Sequence, residues 1–181
     1  MTAPPRNPSL GLIDTGIILG ADGLGIVSLG EPVESAIETL SGLVGAPDSD
    51  EALTGPWPDA SGCPGATGYG CVDYLRFVEW DGLRLVFTDG SPTGAATPPV
   101  LKGWAYSGEP GLYTSSGVSI GTTVEELQNI AGELLLPDQP DECTGTWMAR
   151  IDGVGLLLGG DPTNPATAVT GLFAGEALGS C

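Results

Sequence analysis

An internal repeat is the feature that most limits how this chain can fold. Residues 26–40 and 117–131 both read valine, serine, an aliphatic residue and glycine, then two residues, then valine and glutamate. Apolar residues then recur at three- and four-residue spacing, which predicts an amphipathic helix in each copy. Pro32 suits the first turn of the first helix, and Thr122 with Glu125 is typical of a capping box at the start of the second.

Two β-hairpins form the second repeated feature. Residues 75–87 and 147–158 are runs of β-forming residues interrupted by Asp81-Gly82 and Asp152-Gly153. Asp-Gly is a strong hairpin signal, because a type I′ turn needs positive φ at both central residues. A two-residue turn also fixes the pairing of the flanking strands, so each hairpin has a predicted register.

The repeats predict an α+β protein of two duplicated modules, each a helix packed on a small antiparallel β-sheet with an Asp-Gly hairpin. A further strand is expected after each hairpin, at 100–106 and 168–174, and a short one before each helix, at 16–19 and 111–114. The expected boundaries are a tail at 1–9, the first repeat at 10–110 with a loop insertion at 47–70, and the second repeat at 111–181.

Strand alternation divides the predicted sheet into a core face under the helices and an opposite face, called here the open face. Trp80, Leu83 and Phe87 are expected on the core face, with Glu79 opposite Arg84 on the other. In the third strand, small residues would let a helix approach, which assigns Trp104 to the open face. The predicted open-face binding residues are Phe77, Lys102, Trp104, Tyr106, Met148, Arg150 and Leu157.

This set contains the residue types that anchor protein interfaces, namely tryptophan, tyrosine, arginine and methionine. It therefore predicts non-catalytic recognition of a partner protein. The alternative is ordinary packing, with these side chains covered by the 47–70 loop or lying between the two repeats.

Charge and composition exclude several classes of function. The chain has 23 acidic and 5 basic residues, a net charge of −18 and no histidine. Without histidine there is no Ser-His-Asp or Cys-His catalyst and no histidine-ligated zinc. Without a basic stripe, nucleic-acid binding is not expected. No apolar run reaches the 18 residues that would predict a transmembrane helix.

Four cysteines favour a secreted or cell-envelope protein whose export segment is not in this chain. Four cysteines allow three pairings. Cys63–Cys71 and Cys143–Cys181 is the preferred one, because each bridge then lies within one repeat. Four free thiols are the alternative.

A short motif resembles two related envelope families, the SmpA/BamE-like lipoprotein modules and the tandem-repeat β-lactamase inhibitor proteins. The residues that carry it are LGEPVE at 29–34, LVGAP at 43–47 and IGTTVE at 120–125. The resemblance implies a helical element on an antiparallel sheet in each repeat. In the inhibitor family it also implies one disulfide per repeat and a concave, aromatic sheet that grips a partner protein. Glu31 departs from the usual hydroxyl residue, and the second helix lacks the closing Gly-x-Pro.

The sequence thus predicts a non-enzymatic module that needs no cofactor and no metal. Two other functions stay open. A carbohydrate or cell-wall binding module would use Trp57, Tyr69 and Trp104 as stacking platforms. A carboxylate-dependent hydrolase is the second, since an acidic chain offers many carboxylate pairs. The acidic segment 48–51 could bind calcium, but it lacks the spacing of an EF-hand loop, and a solvated loop is the preferred interpretation.

Overall fold

The computed structural model describes residues 15–54, 74–89, 98–131, 140–141 and 145–176. Within them lie two helices, α1 (Val33–Val44) and α2 (Val124–Ala131). The strands, in chain order, are β1 (Ile18–Leu19), β2 (Ser49–Thr54), β3 (Tyr74–Trp80), β4 (Leu83–Thr88), β5 (Val100–Tyr106), β6 (Tyr113–Thr114), β7 (Trp147–Ile151), β8 (Val154–Leu158) and β9 (Val169–Gly175).

One continuous sheet replaces the two small sheets expected from the sequence. Seven antiparallel strands lie in the order β2-β3-β4-β5-β9-β8-β7, and β1 pairs with β6 in a separate two-stranded parallel sheet. The predicted α+β fold of two duplicated helix-on-sheet modules is therefore wrong, since the described residues are mostly β. The physical reason lies at β5 and β9, which pair with each other and so satisfy two strand edges that separate modules would leave exposed.

Both Asp-Gly hairpins are confirmed. Asp81 and Asp152 have φ of 44° and 50°, and the glycine after each is also at positive φ. The predicted register holds, with Glu79 opposite Arg84 in the first hairpin. In the second hairpin, Ile151 lies opposite Val154 at the turn. The turn chemistry therefore decides which face each hairpin residue occupies.

A β-bulge in β5 overturns the prediction for the third strand. Leu101 lies opposite Phe87 and Gly103 opposite Val86, so Lys102 is an extra residue. The bulge breaks the alternation, and Leu101 and Trp104, three residues apart, both lie on the core face. Trp104 and Tyr106 are 0% and 2% exposed and belong to the main core. Placing these two aromatic residues on the open face was wrong.

Strand β9 has a matching bulge. Leu157 lies opposite Gly171 and Leu158 opposite Val169, which leaves Thr170 as the extra residue. Both bulges place a glycine directly after the extra residue, at Gly103 and Gly171. A glycine inside a strand pattern often marks a bulge, so this was the available sequence signal.

Both helices contribute apolar side chains to the main core. Helix α1 lies against β5 and buries Val33, Ala36, Leu40 and Val44. Helix α2 buries Val124 and Leu127. All these residues belong to a single apolar cluster that also includes core-face residues of both hairpins.

The start of α2 differs from the prediction by one residue. The capping box is Thr123 with Glu126: the Thr123 amide donates to Glu126 Oε2 at 2.8 Å, and the Glu126 amide donates to Thr123 Oγ1 at 3.3 Å. Thr122 instead accepts a hydrogen bond from the Ser119 amide at 3.0 Å. The adjacent threonines made the two starting points equivalent by sequence.

The beginning of the predicted 47–70 loop insertion is a strand. Residues Ser49–Thr54 form β2, which pairs antiparallel with β3 at the edge of the sheet. Arg76 holds it there, with Nε and Nη2 donating to the two oxygens of Asp50 at 2.7 and 2.8 Å. Arg76 Nη1 also reaches Glu34 of α1 at 3.0 Å. One guanidinium thus ties the edge strand to the first helix.

Candidate functional site

The open face of the seven-stranded sheet is the candidate site. Residues directly opposite each other in a ladder share a face. By register, Phe77 of β3 and Val86 of β4 lie opposite each other on this face. Arg84 of β4 lies opposite Ala105 of β5, which in turn lies opposite Phe173 of β9. The same face continues through Gly155 and Leu157 of β8 to Arg150 and Met148 of β7.

One end of this face is already packed. Leu75 and Val86 are fully buried there and contact the partly buried side chains of Leu53 and Phe77. The hydroxyl of Thr88, which shares this face, is buried and has no hydrogen-bond partner among the described residues. This end therefore serves as a small second core and is not a free surface.

Arg84 is the most organised exposed side chain of the open face. Its Nε lies 2.5 Å from Glu79 Oε1, and Ser49 Oγ donates to the other carboxylate oxygen at 3.3 Å. Its guanidinium carbon lies 5.7 Å from the centroid of the Phe77 ring, within cation–π range. The Arg84 side chain is 51% exposed, so the pair adds little stability but presents a fixed, half-solvated cation.

Two glycines shape the other end of the face. A Cβ at Gly155 would lie within 2.2–2.5 Å of ring atoms of Phe173, so the ring lies directly over this glycine. A Cβ at Gly171 would lie 3.0 Å from a methyl group of Leu157. The two side chains therefore lie low on the backbone of the neighbouring strand and form an apolar floor beside Met148.

The open face also collects the positive charge of the chain. Of the five basic residues, Arg84 and Arg150 lie on it by register. Lys102 and Gly103 together oppose Val86, which places the bulge residue on the same side. Within the described part of the chain, neither Lys102 nor Arg150 forms an ion pair. Three cations thus share one face of a chain whose net charge is −18.

The structure brings together five of the seven predicted binding residues. Phe77, Met148, Arg150 and Leu157 lie on the open face, and Lys102 joins them at the bulge. Trp104 and Tyr106 do not, as described above. Phe173 was not predicted, although its alternation with the core residues Leu172 and Ala174 was the available signal. The cysteines Cys63, Cys71, Cys143 and Cys181, and the aromatic residues Trp57 and Tyr69, lie outside the described residues.

The acidic segment at 48–51 is engaged in structural contacts. The hydrogen bonds from Arg76 lower the pKa of Asp50 below its usual value. Asp48 accepts a hydrogen bond from the Asp81 amide at 2.8 Å, which links the start of β2 to the hairpin turn. In the described ranges, no group of three or more acidic, cysteine or histidine side chains is arranged to hold a metal ion.

Comparison with protein-family models, curated proteins and solved structures finds no match to this chain. The resemblance to the SmpA/BamE-like and β-lactamase inhibitor families therefore stays a prediction. Neither of the two described helices is long and apolar enough to span a bilayer.

Proposed function

We propose that this protein is a non-catalytic recognition module, secreted or located in the cell envelope, that binds a partner protein through the open face. The observation that carries the proposal is the contrast between this face and the chain as a whole. Three of five basic residues lie there, next to an apolar floor, in a chain of net charge −18. Methionine and arginine side chains are both enriched in protein interfaces.

The chemistry of the face indicates the chemistry of the partner. Leu157 and Met148 are half-buried, and the exposed Arg150 lies on the same strand as Met148. An apolar partner side chain flanked by carboxylates would contact this floor and pair with the cations. Arg84, half exposed beside Glu79, offers a positioned cation to such carboxylates, and Arg150 and Lys102 supply two more.

The structure favours neither of the two other functions considered from the sequence. Of the three rings considered as glycan-stacking platforms, Trp104 is fully buried, and Trp57 and Tyr69 lie outside the described residues. A general acid requires a raised pKa. In Asp50, Glu126 and Asp161, hydrogen bonds lower the pKa instead.

A paired capture experiment tests the proposal. Immobilised wild type is compared with an Arg84→Ser/Leu157→Ser variant, using envelope and culture fractions and identification by mass spectrometry. Ile130→Ser is the matched control, because Ile130 is an exposed apolar residue on α2, away from the open face. A protein retained by wild type and control but lost by the double variant supports the proposal. Equal retention by all three contradicts it.

A further inference from the structure

The seven-stranded sheet ends in two edge strands, β2 and β7. Each has one neighbour, so each presents a row of backbone N–H and C=O groups on its outer side. Among the described residues, none pairs with either outer side. Edge strands of this kind readily pair with another strand unless charge, proline or a bulge prevents it.

The two edges differ in charge. Strand β2 carries Asp50 and Glu51 and follows Asp48, so a second acidic strand would be repelled there. Strand β7 reads WMARI, with Arg150 as its single charge and no proline. In a chain of net charge −18, β7 is therefore an edge where a second copy would meet no negative charge within the strand.

The turn geometry fixes which backbone groups of β7 point outward. In a two-residue hairpin, the pair next to the turn, Ile151 and Val154, exchanges both backbone hydrogen bonds. These bonds alternate, so Ala149 and Trp147 also bond to β8. The N–H and C=O groups of Met148 and Arg150 therefore point away from the sheet.

We infer that two copies of this chain pair through β7, antiparallel and about a two-fold axis at Ala149. This register places Met148 of each copy opposite Arg150 of the other. The outward-pointing backbone N–H and C=O groups of these two residues can then hydrogen-bond between the copies. Trp147 then lies opposite Ile151, and no like charges stand directly opposite each other. The axis runs perpendicular to the sheet, so the two open faces lie on the same side of the dimer.

A second copy fits this edge because the strand is complementary to itself. The aliphatic stem of Arg150 can lie along the thioether of Met148 in both halves of the pair. The same operation on β2 would bring two acidic segments together. The inference depends on the sheet edge and its charge, and does not depend on the proposed function of the open face.

Met148→Pro is the decisive variant. The Met148 N–H points outward, so proline removes a donor to the second copy without breaking a bond to β8. Ala52→Pro is the matched control: Ala52 occupies the equivalent outward position on β2, since Phe77 and Glu51 form the bonded pair there. Sedimentation over a concentration series up to about 1 mM reports the mass. Circular dichroism in the near ultraviolet confirms that each variant keeps its tertiary packing.

Wild type and Ala52→Pro should approach twice the monomer mass of 18.2 kDa, while Met148→Pro stays at the monomer mass. Hydrogen exchange on wild type provides a test that needs no variant, since the Arg150 amide should exchange more slowly as the protein concentration rises. Wild type that stays monomeric throughout overturns the inference. A dimer that survives Met148→Pro, or is lost equally in Ala52→Pro, also overturns it.

Discussion

The indole Nε1 of Trp104 donates a hydrogen bond to the carbonyl oxygen of Gly20 at 2.9 Å. This contact lies on the core face and ties β5 to the segment that follows β1. Trp80 makes the equivalent bond from β3, donating to the Gly45 carbonyl at 3.0 Å where α1 ends. Both indoles are thus buried with their polar atom satisfied, which is the condition under which a buried tryptophan stabilises a core.

Trp104→Ala should therefore unfold or strongly destabilise the protein. Removing a fully buried tryptophan typically costs about 3–5 kcal/mol. Urea unfolding followed by circular dichroism measures the loss, with Lys102→Ala as the neighbouring control. A Trp104→Ala variant that unfolds at the wild-type midpoint would contradict the placement of Trp104 in the core.

A double-mutant cycle tests the apolar floor. Gly155→Ala places a methyl group against the Phe173 ring and should cost about 1–3 kcal/mol of unfolding free energy, as overpacking does. Combined with Phe173→Ala, the same substitution should cost less than it does in wild type, because the opposing ring is gone. Strictly additive costs would show that the two residues are not in contact.

The Asp50–Arg76 pair predicts a pH dependence of stability. Hydrogen bonding to Arg76 lowers the pKa of Asp50 in the folded state, so the folded protein binds this proton less readily than the unfolded chain. The contribution of this pair to the free energy of unfolding is fully present above the unfolded pKa of 3.8. It is lost as the pH falls through the lower pKa of the folded state.

Asp50→Asn removes this contribution. Since the Asp50 side chain is more than a third exposed, the difference in unfolding free energy from wild type should be about 1 kcal/mol at most near pH 6. It should shrink towards zero below pH 3.8. Glu51→Gln is the control, and its difference should stay small at every pH. If the difference in unfolding free energy between Asp50→Asn and wild type grows on acidification, the pKa of Asp50 is not lowered in the folded state.

Substitutions at the start of α2 distinguish the observed capping box, Thr123 with Glu126, from the predicted one, Thr122 with Glu125. Thr123→Ala should destabilise the protein by about 0.5–2 kcal/mol, the usual cost of losing a helix N-cap. Glu126→Gln should destabilise it more than Glu125→Gln, because Glu126 accepts the Thr123 backbone N–H and its pKa is lowered by that bond. Thermal midpoints measured at pH 7 compare these variants, and the reverse order would place the cap at Thr122.

Local chemistry was predictable from the sequence wherever a turn or a helix spacing determines it. Asp81-Gly82 and Asp152-Gly153 each specify a turn of one type, so the hairpin registers and most core-face residues follow without reference to the rest of the chain. The same holds for the buried face of α1. These elements depend on residues that are close together in sequence.

The errors arose where one extra residue shifts the two-residue alternation of a strand, or where strands that are distant in sequence pair. The extra residue Lys102 reverses the alternation of β5, and for this reason the prediction placed Trp104 and Tyr106 on the wrong face. The pairing of β5 with β9 joins strands that are far apart in sequence, and no local sequence pattern predicts it. The face of each candidate residue was therefore predicted correctly within the hairpins and incorrectly for Trp104 and Tyr106 in the third strand.

Calorimetric titration of the captured protein into wild type, Arg84→Ser/Leu157→Ser and Ile130→Ser measures whether the partner binds through the open face. Recognition through the open face predicts that the double variant binds at least about tenfold more weakly, a change of about 1.4 kcal/mol. The Ile130→Ser control should bind like wild type. Equal affinity for all three proteins would show that the binding surface lies elsewhere on the molecule.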